Sequence, residues 1–198
     1  MANQDAAFGL RPIKTVGQQD DSTGMSSHKI SPGDASVLYQ GSLALAGTGG
    51  YVDLSIDATG TPSVLNIGAF WGTFYVDPTT LKPTFKNYYP GSITPPSSGK
   101  VEAFVYDSPY QMFEVQSAAT GASDQADIFK CCDLASNGGS TANGVSSLES
   151  ADTFSAQATF KVLGVSRDPK NNEIGSANVN WRVMIDEHLL GSGSAGAG

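Results

Sequence analysis

Apolar and polar side chains alternate through much of the chain, most clearly near its C-terminal end. Over residues 153–162, Phe154, Ala156, Ala158, Phe160 and Val162 take every second position, with Thr153, Ser155, Gln157, Thr159 and Lys161 between them. Successive side chains of a strand point to opposite faces, so this spacing predicts a half-buried strand with a hydroxyl-rich outside. Residues 178–186 repeat the pattern, with Val179, Trp181, Val183 and Ile185 set against Asn178, Asn180, Arg182 and Asp186. The stretch Arg167-Asp-Pro-Lys-Asn-Asn between them is rich in turn formers. The reading is an antiparallel pair closed by a long loop, each large inward side chain contributing roughly 1.5–3 kcal/mol on burial.

The same period returns earlier. Residues 37–46, 51–57, 65–76, 101–106 and 111–116 read as strands. The stretches Ser31-Pro-Gly-Asp, Gly47-Thr-Gly-Gly, Thr59-Gly-Thr-Pro, Asp77-Pro78, 91–99 and Asp107-Ser-Pro separate them. In 51–57 the inward residues are Val52, Leu54 and Ile56. Gly68 and Gly72 fall inside the longest run, where glycine marks a bulge or tight bend. Phe70, Phe74 and part of Trp71 are expected in the core. Phe85, Tyr88 and Tyr89, set among prolines and lysines, are expected on a long surface loop. Three roles remain open for that group: a protein interface, packing of the loop, or a platform for stacking sugars. Ser123 is placed to cap one short helix over 124–130, and 137–143 reads as a flexible loop.

Residues 1–30 differ. Phe8, Leu10, Ile13, Val16, Met25 and Ile30 are scattered among polar residues and glycine, too thinly to build a core. The stretch is either a disordered tail or an arm laid along a partner, with Ala7-Phe-Gly-Leu-Arg-Pro-Ile as an extended anchor. Ordering ten such residues costs roughly 10–20 kcal/mol. Main-chain pairing onto a sheet edge would therefore be needed beside two or three buried side chains.

Composition narrows the class. A length of 198 residues fits one domain, and 23 glycines with only 15% charged residues favour an all-β fold. The expectation is a small antiparallel β-barrel or sandwich: an extended arm over 1–30, a body over 31–190 and a Gly/Ser/Ala tail over 191–198. A net charge of −8 opposes nucleic-acid binding. No apolar stretch approaches the ~20 residues of a membrane span. The opening Met-Ala-Asn-Gln-Asp has neither the basic nor the apolar region of a secretory signal.

Candidate chemistry is sparse. Cys131 and Cys132 are adjacent, which suits neither a mutual disulfide nor a metal site. They read as two small, partly buried residues in a reducing compartment, with a redox pair as the alternative. His28 lies in the arm. Asp186-Glu187-His188 closes the last strand and would need a further ligand to hold a metal; solvated charges at a strand end explain it equally well. Nucleophile elbow, phosphate loop and zinc signature are all missing. No enzyme activity, catalytic residue, cofactor or metal is expected.

Four stretches carry a resemblance. They are the start, Met1-Ala-Asn-Gln-Asp-Ala-Ala-Phe-Gly-Leu-Arg-Pro, and the middle run Gly72-Thr-Phe-Tyr-Val-Asp-Pro-Thr-Thr-Leu-Lys-Pro-Thr-Phe-Lys-Asn-Tyr-Tyr-Pro. Ala103-Phe-Val-Tyr-Asp-Ser-Pro-Tyr-Gln-Met-Phe-Glu-Val-Gln follows, then the hairpin from Phe160-Lys-Val-Leu-Gly-Val to Glu187-His188. Together they resemble the decoration, or cement, proteins of tailed-bacteriophage capsids, of marine and cyanobacterial type. The resemblance implies a structural virion protein on the outer surface of an icosahedral head, assembled in the host bacterial cytoplasm. It would bind the major capsid protein, as a homotrimer or alternatively a dimer, without nucleic acid or membrane. Phe8, Leu10, Arg11 and Ile13 would anchor the arm, and Phe85, Tyr88 and Tyr89 would contact a neighbour. The alternative is a phage surface or tail-fibre module that recognises host glycans. Cys131-Cys132 has no counterpart in the resemblance.

Overall fold

The computed structural model describes residues 3–16, 24–55, 65–118 and 123–191. Ile56, Asp57, the turn from Thr59 and the tail beyond Gly191 lie outside the described residues. The chain is all-β, as its alternation requires. In order, its strands are β1 (Arg11–Thr15), β2 (Ser26–Ile30), β3 (Leu43–Ala46), β4 (Val52–Leu54), β5 (Asn66–Val76), β6 (Pro83–Lys86) and β7 (Val101–Tyr106). Then come β8 (Gln111–Ser117), β9 (Cys131–Ser136), β10 (Gly139–Ser140), β11 (Val145–Ser146), β12 (Glu149–Ser155), β13 (Phe160–Val165) and β14 (Asn180–Ile185).

Strands β8, β12, β9, β13 and β14 pair in that order, and β14 returns to β8, closing a five-stranded barrel. Closure leaves an edge only along the first half of β8, and β1 pairs there. Phe113, Val115, Leu134, Phe160, Val162, Trp181, Val183 and Ile185 fill the barrel. The antiparallel pair of the C-terminal region is present, with Phe160 opposite Ile185 and Val162 opposite Val183. The run 153–162, however, is two strands. β12 and β13 flank β9, Ser155 pairing with Cys131 and Phe160 with Cys132. The chain must bend between them to admit β9, so Ala156 is exposed while Ala158 is buried.

A second sheet runs β2-β7-β5-β3-β4, with β6 on β5 beyond the end of β3. It has its own core of Ile30, Leu38, Val52, Ile67, Phe70, Tyr75, Tyr89, Val101 and Val105. The two cores share a wall. Leu43 and Ala69 face the barrel cluster, while their neighbours Ala44 and Phe70 face the other, and all four are fully buried. Side chains alternate across a strand, so β3 and the start of β5 are covered on both faces.

Beyond Phe70 this parity breaks. The register of β5 against β7 shifts between Phe70 and Gly72. Phe74, expected in the core, therefore points outward at 38% exposure, and Tyr75 takes the inward place. The turn at Asp77 forms as its sequence suggests: the carboxylate accepts the Thr79 and Thr80 N–H groups, each at 2.8 Å. Those two backbone donors hold its pKa below the usual carboxylate range.

Other expectations are corrected locally. Regular pairing in 37–46 begins only at Leu43, because Gly41 turns the chain at φ +87°. Residues 83–86 form β6 rather than a loop, and Tyr89 bridges to Leu38. Residues 139–140 pair with β11. The short helix shrinks to a 3₁₀ turn, Gln125–Asp127, capped by Asp124 rather than Ser123. Asp127 returns the cap by accepting the Asp124 N–H at 2.7 Å.

Candidate functional site

The leading segment belongs to this chain's own body. β1 pairs antiparallel with β8, Arg11 opposite Glu114 and Thr15 opposite Gln111. Leu10 is fully buried in the barrel cluster, and its N–H donates to the Gly41 carbonyl at 2.8 Å. The crossing there needs two glycines: a Cβ on Gly9, at φ +75°, would meet the Gly41 oxygen at 2.7 Å. Two buried amides read the backbone of the segment. Gln116 accepts the Ala6 N–H and donates to the Gln4 carbonyl, both at 2.9 Å, and Asn171 donates to the same carbonyl at 2.8 Å. This corrects the picture of a ribbon laid along a partner. The sheet edge that strand pairing demanded is β8 of the same chain.

The expected contact residues therefore separate. Leu10 and Tyr89 are interior, since both are fully buried. Tyr89 is held there by its hydroxyl, which donates to the Asp34 carbonyl at 3.0 Å and accepts the Ile93 N–H at 3.2 Å. Tyr88 is half-buried and stacks on Tyr39, with ring centroids 6.3 Å apart. Tyr88 and Tyr89 thus form no exposed platform for a sugar. Phe8 is half-buried beneath the Arg11 guanidinium, 4.1 Å from its ring centroid. Arg11 and Ile13 line a cleft of about 550 Å³ beside β8 and β14. Phe85 is outward, at 63% exposure.

Phe85 does not stand alone. It lies directly opposite Phe74 across β5 and β6, and its ring centroid is 6.0 Å from that of Phe104 on β7. The three rings form one apolar face on the outside of the second sheet. The sequence reading missed two of them, because Phe74 hides behind the β5 bulge and Phe104 reads only as one outward position in an ordinary alternation. Part of the arrangement is internal. The Phe85 ring covers Gly72, where a Cβ would come within 2.9 Å of it. Covering one glycine does not account for a phenylalanine left nearly two-thirds in solvent. On the barrel, Phe129 is a second outward apolar group, 75% exposed with a left-handed backbone at φ +73°. A bulky side chain is rarely found there.

Both histidines lie near Asp107. His28 is on β2 rather than in an unstructured arm, with Nε2 2.9 Å from an Asp107 carboxylate oxygen, and Ser26 donates to the other oxygen at 2.9 Å. This Ser and His both bond the Asp and not each other, so no activated nucleophile results. His188 is buried rather than solvated, and burial pushes its imidazole below the usual range. Asp186 pairs with Lys161 and accepts the Cys131 thiol at 3.6 Å. Both cysteines are free and buried, and burial pushes the Cys132 thiol up to about 12, far from a reactive thiolate. Among the described residues, no three His, Cys, Asp or Glu side chains are grouped to hold a metal ion, and no helix is long and apolar enough to cross a membrane.

Comparison with protein-family models, curated proteins and solved structures returns no match. The residues of this chain alone therefore carry the functional argument, together with the resemblance already described. The feature they offer most plainly is the phenylalanine face of β5, β6 and β7.

Proposed function

We propose that the chain is a capsid decoration protein of a tailed bacteriophage, binding the outside of an icosahedral head and tying neighbouring capsomers together. The observation that carries this reading is the phenylalanine face of β5, β6 and β7. Exposed Phe74 and Phe85 beside half-buried Phe104 make a contiguous aromatic patch of the kind found at protein contacts, since aromatic anchors supply much binding energy at little cost in side-chain freedom. The resemblance of the four stretches supplies the class of partner: the major capsid protein, with a homotrimer as the preferred assembly and a dimer as the alternative. The closed barrel and doubly covered wall suit a body that must transmit load without yielding. The net charge of −8 favours a position outside the shell over one against the genome.

Exchanging Phe74 and Phe85 together for serine tests the reading. Both side chains lie outside the two cores, so the variant should still fold, melting somewhat below the parent because the Phe74–Phe85 pair and the cover over Gly72 are lost. Its affinity for capsids stripped of this protein should fall at least about tenfold in a co-sedimentation titration. Undiminished binding by the folded variant would remove the face from the mechanism.

A further inference from the structure

The cleft beside β1 has a composition at odds with the rest of the chain. The sequence contains three arginines, Arg11, Arg167 and Arg182, and all of them line it together with Lys14. Only two carboxylates, Glu114 and Asp168, share the lining, so the site is net positive in a chain of net charge −8.

Both carboxylates are already engaged. Glu114 accepts from the Ser166 hydroxyl with one oxygen, and the other lies 3.5 Å from Arg11. Asp168 accepts the Lys170 N–H at 3.0 Å within its own turn. Among the described residues, Lys14, Arg167 and Arg182 have no carboxylate within 4.0 Å. The Arg182 Nε is buried and has no hydrogen-bond partner. Room for that guanidinium is built into the neighbouring strand: a Cβ on Gly164 would come within 2.7 Å of Arg182 Nη2. If these cations served only to balance surface acids, they would sit beside them. Instead they converge with donors unspent, and Ile13 and Met112 give the same cleft an apolar wall.

We infer that this cleft binds a compact, multiply charged oxyanion, with phosphate or carboxylate groups engaged by Arg167, Arg182 and Lys14. The planar arginine fork matches either oxyanion. The volume of about 550 Å³ is that of a small-molecule pocket. The inference stands apart from the virion reading, since it needs no capsid.

The test is calorimetric titration of the full chain, at low salt, with pyrophosphate and separately with citrate. Saturable one-to-one binding of either anion is expected, and the stronger of the two identifies phosphate or carboxylate as the preferred group. Arg167→Gln, at an exposed position, should weaken binding at least about tenfold. Arg182→Gln should weaken it similarly, and its melting curve establishes that it folds; if it does not fold, Arg167→Gln alone decides. Lys82→Gln, outside the cleft, should change nothing. The inference is overturned if neither anion binds, or if binding survives Arg167→Gln unchanged. It is equally overturned if the chain takes up heparin but ignores both small anions, since that marks a diffuse electrostatic surface.

Discussion

A chain lacking residues 1–16 is expected to lose its cooperative fold or to melt far below the parent. Losing Leu10 from the barrel cluster should cost about 2–5 kcal/mol, as for other fully buried leucines. Gln116 and Asn171 lose the Gln4 and Ala6 backbone partners that cover their amides, at about 0.5–1.5 kcal/mol for each hydrogen bond exchanged for water. The β1–β8 pairing goes as well. The total rivals the whole stability of an ordinary domain, about 5–15 kcal/mol. Urea unfolding followed by circular dichroism measures it directly. A truncated chain with the parental midpoint would show that the leading segment is an accessory after all.

The second large effect is expected at Gly68. Its backbone sits at φ +145°, and a Cβ there would lie 2.0 Å from the Tyr106 carbonyl oxygen and 2.8 Å from the carbonyl carbon. Those atoms are the backbone of β7, so no side-chain rotation can relieve the clash. Gly68→Ala must separate β5 from β7 or distort the bulge. The strained backbone alone costs about 1–3 kcal/mol, and broken ladder hydrogen bonds add roughly 0.5–1.5 kcal/mol each. A loss of at least about 3 kcal/mol should lower the melting temperature by about 6–12 °C for a chain of this size. Gly24→Ala, with nothing within 4 Å of its Cβ, is the control and should melt with the parent. Equal melting of the two variants would show that β5 and β7 do not approach as described.

The strands were legible because period two survives wherever one face is buried. The runs over 101–106 and 111–116 needed almost no adjustment, and the glycines at 68 and 72 marked bulges that are present. What was not legible is set by groups far apart in sequence. The bend after Ser155 exists because β9 slots between two strands that one unbroken alternation had fused. The parity of Phe74 depends on a one-residue bulge that pattern alone cannot place. The leading segment looked too poor to fold because much of its support comes from groups far along the chain, among them the polar partners Gln116 and Asn171. Tyr88 and Tyr89 are neighbours in sequence, yet one backs onto Tyr39 and the other is sealed in the second core. The arginine cleft left a faint trace in the sequence: a residue type used only three times in an acidic chain. Nothing but the fold brings positions 11, 167 and 182 together.

A cryo-electron microscopy reconstruction of decorated heads, at a resolution that traces strands, tests the central claim most directly. The account predicts density for the chain on the outer shell, with Phe74, Phe85 and Phe104 against a capsid subunit and β1 still paired to β8 of its own body. A map in which that segment leaves β8 to run along a neighbour, while the aromatic face stands in solvent, would contradict it.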